Sequence, residues 1–285
     1  MHRAIMLGLL LLSLSACGPD ADRAARGSGK PLPPTGAPIP RTAGPLAARL
    51  SDTTIALHAA VDRWRFHGRP DRGSTPRDVS AYALLQQRLY LHLGGRPRLA
   101  ANVRRRLRGP ARAEAGDLVA ARQALERLNG TTRRVRFKTG RTLPPDVLRR
   151  YYRRAGRRFG VPWEVLASVN FVETGFNKIR SRSSAGAQGP MQFIPSTWRA
   201  YGMGGDIRDP RDAIMGAANY LRASGARRDV GRALYAYNPS SLYVRAVSRF
   251  ARRIRARPQA FYALHSWEIF VRTPSGPRRL TGPDR

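Results

Sequence analysis

The stretch ETGFNKIRSRSSAGAQGPMQFIPSTW, residues 173 to 198, decides the fold and the chemistry of this chain. It begins with Glu173, one of only five glutamates in a sequence that contains 49 arginines. Apolar residues precede it at near three-residue spacing: Trp163, Leu166, Val169 and Val172. This spacing predicts a helix from Pro162 to Glu173, with the carboxyl at its end beside an apolar face. Desolvation there favours the neutral carboxyl, which is the form that a general acid needs.

The rest of the stretch contains no second carboxylate. The first acid after Glu173 is Asp206, and Asp209, Asp212 and Asp229 lie further along the chain. Most glycoside hydrolases use two carboxylates, the second as a nucleophile or as the base for a water. A lone carboxyl in such a site must protonate the leaving oxygen and then accept a proton from a hydroxyl of the substrate.

Together, Glu173, the small-residue loop 183–187 and the run 189–193 resemble the lytic transglycosylases, lysozyme-like enzymes that cut peptidoglycan glycan strands. The resemblance implies that Glu173 is the catalytic acid and that the product carries a 1,6-anhydro-N-acetylmuramic acid end. It implies contact with the sugar for a further set of residues: Ser183, Met191, Gln192, Phe193, Tyr237 and Asn238. It implies a structural role in the loops for another set: Asn177, Gly186, Ala187 and Gly189.

The resemblance is not uniform along the chain. Thr174 replaces the serine that soluble members usually have, and Pro239 follows Tyr237-Asn238 where those enzymes usually have small residues. The run GPMQFIPSTW is more similar to the membrane-bound B-type branch, whose members often carry a calcium-loop-like insert. Here only Asp206 and Asp209 remain, which falls short of the carboxylate spacing of an EF-hand loop. We therefore expect no bound metal and no cofactor.

The N-terminus predicts export. Residues 1–16 combine a short basic start with an apolar core of signal-peptide length, too short to span a membrane. Leu14-Ser15-Ala16-Cys17 is a lipobox, and Cys17 is the only cysteine, so no intramolecular disulfide can form. We expect cleavage before Cys17, lipidation of its thiol and anchoring to the outer face of the cytoplasmic membrane. An ordinary secretory signal with an incidental cysteine is the alternative.

The predicted fold class is mainly all-α. Residues 17–45 are rich in Pro, Gly and Arg and predict a disordered tether. Residues 46–130 predict a small helical module, and residues 143–257 predict a lysozyme-like helical catalytic domain. Residues 258–285 predict a C-terminal extension with two short strands. His58, His67 and His92 lack the spacing of metal ligands.

The net charge of +34 admits several polyanionic partners. Nucleic acid, anionic wall polymers and anionic lipid head groups would all be attracted to such a surface. The basic residues are spread along the chain without aromatic stacking platforms, and the signal peptide argues against nucleic acid. We therefore expect peptidoglycan strands and the membrane as partners, no nucleic acid, and a monomer.

Three functions from different classes remain open. The first is a membrane-anchored lytic transglycosylase. The second is a hydrolytic muramidase or chitinase-like enzyme on the same fold, which needs a water and usually a second carboxylate. The third is a non-catalytic wall-binding lipoprotein. The intact Glu173 disfavours the third, and the acid-free stretch after it disfavours the second.

Overall fold

The computed structural model describes residues 31–133 and 136–282, and Pro33–Arg285 form one compact unit. The described part contains eleven helices and one two-stranded sheet, which confirms the predicted mainly helical class with a short β extension. Residues 1–16 and Cys17, for which we predict a signal peptide and lipidation, lie outside the described residues. Within the described ranges, no helix is long and apolar enough to cross a membrane.

Four helices form the N-terminal part: α1 (Ala43–His67), α2 (Arg77–Gly94), α3 (Pro97–Arg106) and α4 (Gly109–Asn129). Both α3 and α4 carry proline in their first turn. Backbone amides there have no acceptor within the helix, so proline, which lacks the amide hydrogen, costs no helical hydrogen bond. Leu46, Leu50, Leu57 and Val61 of α1 are buried at intervals of four and seven residues, which places them on one face of the helix, and α1 packs against α2 and α3.

Residues 17–30 of the predicted tether lie outside the described residues, and the described segment before α1 differs from that prediction. That prediction extended to residue 45, whereas α1 already begins at Ala43 and Ala37 is almost fully buried. Arg88 of α2 donates hydrogen bonds to the backbone carbonyls of Thr35 and Ala37, at 2.9 and 2.7 Å. These bonds give residues 35–37 a fixed place on α2, which composition alone did not predict.

Six helices follow: α5 (Pro145–Phe159), α6 (Trp163–Thr174), α7 (Pro195–Tyr201), α8 (Pro210–Ala223), α9 (Val230–Tyr237) and α10 (Ser241–Ala256). Asp209, Asp229 and Ser240 precede α8, α9 and α10, and each accepts hydrogen bonds from amides of the first turn. α7 was not predicted, because its seven residues are too few to show a helical period.

The N-terminal helices pack directly on the helices around Glu173. α10 packs against both α4 and α6. Asp117 of α4, which is buried, accepts a 3.1 Å hydrogen bond from Arg249 and another at 3.1 Å from Nε of Arg252. A buried carboxylate paired with two arginines of α10 therefore helps to join the N-terminal helices to the helices around Glu173.

The C-terminal part is only half as predicted. A helix, α11 (Pro258–Ser266), occupies its beginning, and the strands β1 (Phe270–Thr273) and β2 (Gly276–Arg279) pair antiparallel with Phe270 opposite Arg279. Phe261 of α11 is buried and packs edge-on against Tyr152, Trp163 and Phe176. The segment is therefore part of the core around α6, with only the hairpin matching the predicted strands.

Candidate active site

Glu173 lies near the C-terminal end of α6, facing a cavity of about 600 Å³. Gly175 ends the helix in the left-handed conformation (φ 59°), and a Cβ atom there would lie 2.3 Å from Cδ1 of Ile269. Phe176 and Asn177 also have positive φ, at 63° and 69°. Three successive left-handed residues turn the chain sharply away from the helix, so that the Glu173 side chain remains at the edge of the cavity.

The environment of Glu173 is that of a general acid. Its side chain is partly buried, and this desolvation raises the pKa of the carboxyl from 4.5 to about 7. The hydroxyl of Tyr243 donates a 2.7 Å hydrogen bond to Oε1 of Glu173, which opposes the shift by favouring the ionised form. Near neutral pH the carboxyl is therefore balanced between its protonated and ionised states.

Tyr243 is one of the residues at this site that were not predicted from the sequence. It is buried on α10, and its ring lies parallel to that of Tyr237 with 6.4 Å between the ring centroids. Burial, and then the neighbouring Glu173, hold the pKa of both tyrosines well above 10, so both hydroxyls remain protonated donors. Tyr243 lies three residues after the N-cap Ser240, and nothing in the local sequence indicates that it contacts Glu173.

Tyr237, for which a sugar contact was predicted, packs on the loop that contains Met191. The sugar contact itself stays a prediction. The hydroxyl of Tyr237 donates a 2.6 Å hydrogen bond to the backbone carbonyl of Met191, and its ring packs against Phe193 and Tyr220. Tyr237 does not line the cavity around Glu173. In the structure it supports the loop that contains Met191, and its hydroxyl is already bonded to that loop.

Met191 and Phe193, for which sugar contacts were also predicted, have buried side chains. Met191 is fully buried and Phe193 is 3% exposed, so neither side chain faces the cavity. The ring of Phe193 packs on Trp198 of α7, with 5.2 Å between the ring centroids. The residue between them, Gln192, ends a tight turn in which its amide donates to the carbonyl of Gly189 at 3.1 Å, and with a φ of 49° it lines the cavity with Glu173.

The loop around Gln192 is held by its own backbone. Gln188 and Phe193 exchange two amide-to-carbonyl hydrogen bonds of 2.9 Å, and the Gln192 side chain donates to the carbonyl of Gly189 at 3.0 Å. A Cβ atom at Gly189 would lie 1.8 Å from the carbonyl oxygen of Ile207, and its φ is 74°. Only glycine fits there, as the predicted structural role requires.

The small-residue loop closes on itself beside the cavity. Ser183 accepts a 3.0 Å hydrogen bond from the amide of Ala187 through its Oγ, and its own amide donates to the Ala187 carbonyl at 3.1 Å. Gly186 has a φ of 81°, and Ala187 is buried. Ser183 lines the cavity, and its hydroxyl is bonded within the loop.

A buried polar network next to Glu173 holds the loop of Gln192 in place. This network was not predicted from the sequence. Oγ1 of Thr174 donates a 2.7 Å hydrogen bond to the carbonyl of Pro190, which also accepts one of 2.7 Å from the Asn170 amide. Tyr152 donates a 2.5 Å hydrogen bond to Oδ1 of Asn170. Thr174 therefore supplies a hydroxyl at the position where the resemblance led us to expect serine.

Asn177 and Asn238 lie away from the cavity that Glu173 lines. The backbone amide of Asn177 donates a 2.9 Å hydrogen bond to Thr174, which agrees with a bracing role through the main chain. Asn238 follows the last residue of α9, and its amide donates to the carbonyl of Leu234 at 3.0 Å. The predicted sugar contact of Asn238 is therefore not seen at the Glu173 cavity.

Two further glutamates line this cavity, although neither lies in the stretch that follows Glu173. Glu126, near the end of α4, is within 3.8 Å of Arg122 and 3.9 Å of Arg272. Glu268 accepts a 2.6 Å hydrogen bond from Thr281 through Oε2. Sequence spacing could not reveal them, because the folding of α4 and the C-terminal segment around α6 brings them here. Among the described residues, no group of three or more His, Cys, Asp or Glu could hold a metal ion.

Comparison with known families gives one match. Residues 150–253 match the family described as Transglycosylase SLT domain, a range that contains Glu173, Gln192 and Tyr243. No solved structure matches the chain. The family match supports a lytic transglycosylase-type enzyme that acts on peptidoglycan, with the lysozyme-like all-α fold that the helices display.

Proposed function

We propose that this protein is a peptidoglycan lytic transglycosylase that cleaves the β-1,4 bond between N-acetylmuramic acid and N-acetylglucosamine without water. The observation that carries the proposal is the partly buried carboxyl of Glu173, whose pKa lies at about 7 and whose Oε1 accepts a hydrogen bond from Tyr243. The family match over residues 150–253 supports the substrate class.

Glu173 would act first as an acid and then as a base. The protonated carboxyl donates its proton to the glycosidic oxygen, and the bond between C1 of N-acetylmuramic acid and that oxygen breaks. The resulting carboxylate accepts the proton of the C6 hydroxyl of the same sugar, and O6 bonds to C1. The glutamate ends in its starting state, no water is consumed, and the product carries a 1,6-anhydro ring.

Tyr243 supports the second half of this cycle. A hydroxyl that donates to Oε1 stabilises the ionised carboxylate formed when Glu173 gives up its proton. Burial has the opposite effect and favours the protonated form. The two effects together keep the proton affinity of Glu173 close to that needed for both transfers at neutral pH.

Hydrolysis by a muramidase on the same fold is the second candidate, since Glu126 and Glu268 line the cavity. Either carboxylate would then serve as the base for a water. We favour the non-hydrolytic reaction because Glu126 lies between Arg122 and Arg272, and Glu268 is hydrogen-bonded to Thr281. Both carboxylates are therefore already engaged by neighbouring side chains, Glu126 by arginines and Glu268 by Thr281.

Attachment to the membrane through Cys17 is part of the same proposal. The lipobox Leu14–Cys17 and the apolar core before it support export, lipidation and a place on the outer face of the cytoplasmic membrane. A chain anchored there as a monomer would reach the glycan strands of the wall. Fractionation of wild type and Cys17→Ala after a high-salt wash tests this, because the variant should leave the membrane or remain unprocessed.

Mass spectrometry of the products from purified glycan strands tests the reaction. Anhydro ends, reducing ends and uncut strands correspond to lytic transglycosylation, hydrolysis and a non-catalytic protein, respectively. Glu173→Gln should reduce turnover more than about a hundredfold, the low end of the loss of a general acid. Glu126→Gln and Glu268→Gln should retain anhydro products, and loss of cleavage in either one would favour hydrolysis.

A further inference from the structure

A second, larger cavity of about 1070 Å³ lies next to the one that contains Glu173. Phe137, Ser181 and Arg182 line both cavities, so the two share a wall. A strongly basic set of residues lines the second cavity: Arg136, Lys138, Arg141, Arg180, Arg182 and Arg208. We call this second cavity the basic pocket.

The wall of the basic pocket is held in place by its backbone. The amide of Gly140 donates to the carbonyl of Lys178 at 3.0 Å, and the amide of Arg180 donates to the carbonyl of Lys138 at 2.8 Å. The hydroxyl of Ser181 also accepts a 2.8 Å hydrogen bond from the Lys138 amide. These two segments run side by side, so their cationic side chains are presented from a fixed frame.

Most cations of this pocket have no carboxylate partner within the part of the chain that the structure describes. Five of them form no ion pair with a described carboxylate: Lys138, Arg141, Arg180, Arg182 and Arg208. This contrasts with Arg249 and Arg252 of α10, which pair with Asp117.

The two carboxylates in the pocket, Asp206 and Asp209, are already engaged by backbone amides. Asp206 accepts from the Arg208 amide at 2.8 Å, and Asp209 caps α8. The pocket is therefore a concave region of excess positive charge.

We propose that the basic pocket binds the free carboxylates of the peptide stem attached to the glycan strand; this rests on the proposed function. A strand whose N-acetylmuramic acid lies at Glu173 carries its stem from the same sugar. Phe137, Ser181 and Arg182 line both cavities, so the basic pocket lies beside the cavity from which that stem would extend. Guanidinium groups bind carboxylates through paired hydrogen bonds, which makes them suited to recognising such a stem.

The test compares strands that carry stems with strands from which an amidase has removed them. The double variant Lys138→Gln/Arg141→Gln removes two exposed cations without touching the Glu173 cavity. We expect kcat/KM for stem-bearing strands to fall roughly 5- to 20-fold relative to stem-free strands, as for two partly exposed charge-assisted hydrogen bonds. The matched control Arg104→Gln/Arg106→Gln removes the same charge from exposed positions of α3 and should leave this ratio unchanged.

Several results would overturn the proposal. Equal losses on both substrates in the double variant would show that these cations attract the glycan itself. A similar loss in the control variant would show that only net charge matters, and no loss in either would show that the stem does not reach the pocket.

A binding measurement separates this inference from the proposed reaction. A soluble stem tetrapeptide with free carboxylates should bind the full chain more tightly than its amidated analogue, and Lys138→Gln/Arg141→Gln should abolish the difference. This readout needs no cleavage, so an inactive protein that shows the difference refutes the proposed function alone. Tighter binding of a glycerol-phosphate oligomer than of the tetrapeptide would assign the pocket to a phosphodiester polymer and overturn the proposal.

Discussion

The hydroxyl of Tyr243 donates a 2.7 Å hydrogen bond to Oε1 of Glu173, although the two residues lie 70 positions apart in the chain. α10 carries Tyr243 to this place, and the same helix holds the arginines that pair with Asp117 of α4. The N-terminal helices therefore support the wall of the active site, so their contribution extends beyond their own core.

Replacement of Tyr243 by phenylalanine should destabilise the ionised form of the Glu173 carboxyl. In wild type the hydrogen bond from Tyr243 favours the ionised carboxyl, so its removal should raise the pKa of Glu173 further above 4.5. We expect turnover to fall roughly 10- to 100-fold, with the high-pH limb of the pH–rate profile moving to higher pH.

Tyr220→Phe is the matched control for that variant. Tyr220 belongs to the same aromatic cluster, but its hydroxyl donates to the carbonyl of Ala236 and not to Glu173. The pH–rate profile of Tyr220→Phe should match that of the wild type. A Tyr243→Phe profile that also matches would remove Tyr243 from the proton transfers.

The free energy of unfolding should depend on pH through Glu173. Its pKa is about 7 in the folded protein and 4.5 as the reference value, so the folded state binds a proton more tightly. Wild type should lose stability as the pH rises from about 4.5 to 7 and change little above that range through this group. The loss should be about 1–3 kcal/mol.

Glu173→Gln isolates this contribution in denaturant titrations at pH 5 and pH 8. The stability of the variant relative to wild type should rise between these two pH values. His265 and Lys178, whose pKa values are lowered to about 3 and about 8 by burial, are present in both proteins and cancel in the comparison. A difference that does not change with pH would mean that the carboxyl of Glu173 titrates normally.

Gly189→Ala should destabilise the protein much more than Gly186→Ala. Both glycines have positive φ, so each substitution carries a backbone cost of about 1–2 kcal/mol. At Gly189 the new Cβ atom would also meet the Ile207 carbonyl, whereas at Gly186 nothing lies within 4 Å. We expect a loss of at least about 3 kcal/mol at Gly189. Equal losses in thermal unfolding would disprove the predicted close contact.

Thr174→Val should displace the loop of Gln192, and Thr174→Ser should not. Valine preserves the shape but removes the hydroxyl that donates to Pro190 and accepts from Asn177. We expect a loss of about 1–3 kcal/mol of stability, as for buried groups left unsatisfied, together with reduced turnover. Serine retains the hydroxyl and should restore both properties. A valine variant with wild-type turnover would limit Thr174 to a purely structural role.

The sequence alone determined the local features of this protein. The apolar period before Glu173 predicts α6 and the desolvation of its carboxyl, because a helix repeats its buried positions within a few residues. The structural role of Gly189 came from the resemblance and not from a local period. Asp209 and Pro210 stand at the N-cap and first turn of α8, where such residues favour the start of a helix.

Only the tertiary structure decided which distant side chains meet at the site. Tyr243, Glu126 and Glu268 reach the surroundings of Glu173 because α10, α4 and the C-terminal segment pack around α6, and no local pattern records such approaches. The fold likewise turned Met191 into the core and left Gln192 outside, although both belong to one run of sequence. Periodicity is set by neighbours along the chain, whereas an active site is set by the packing of elements that lie far apart in it.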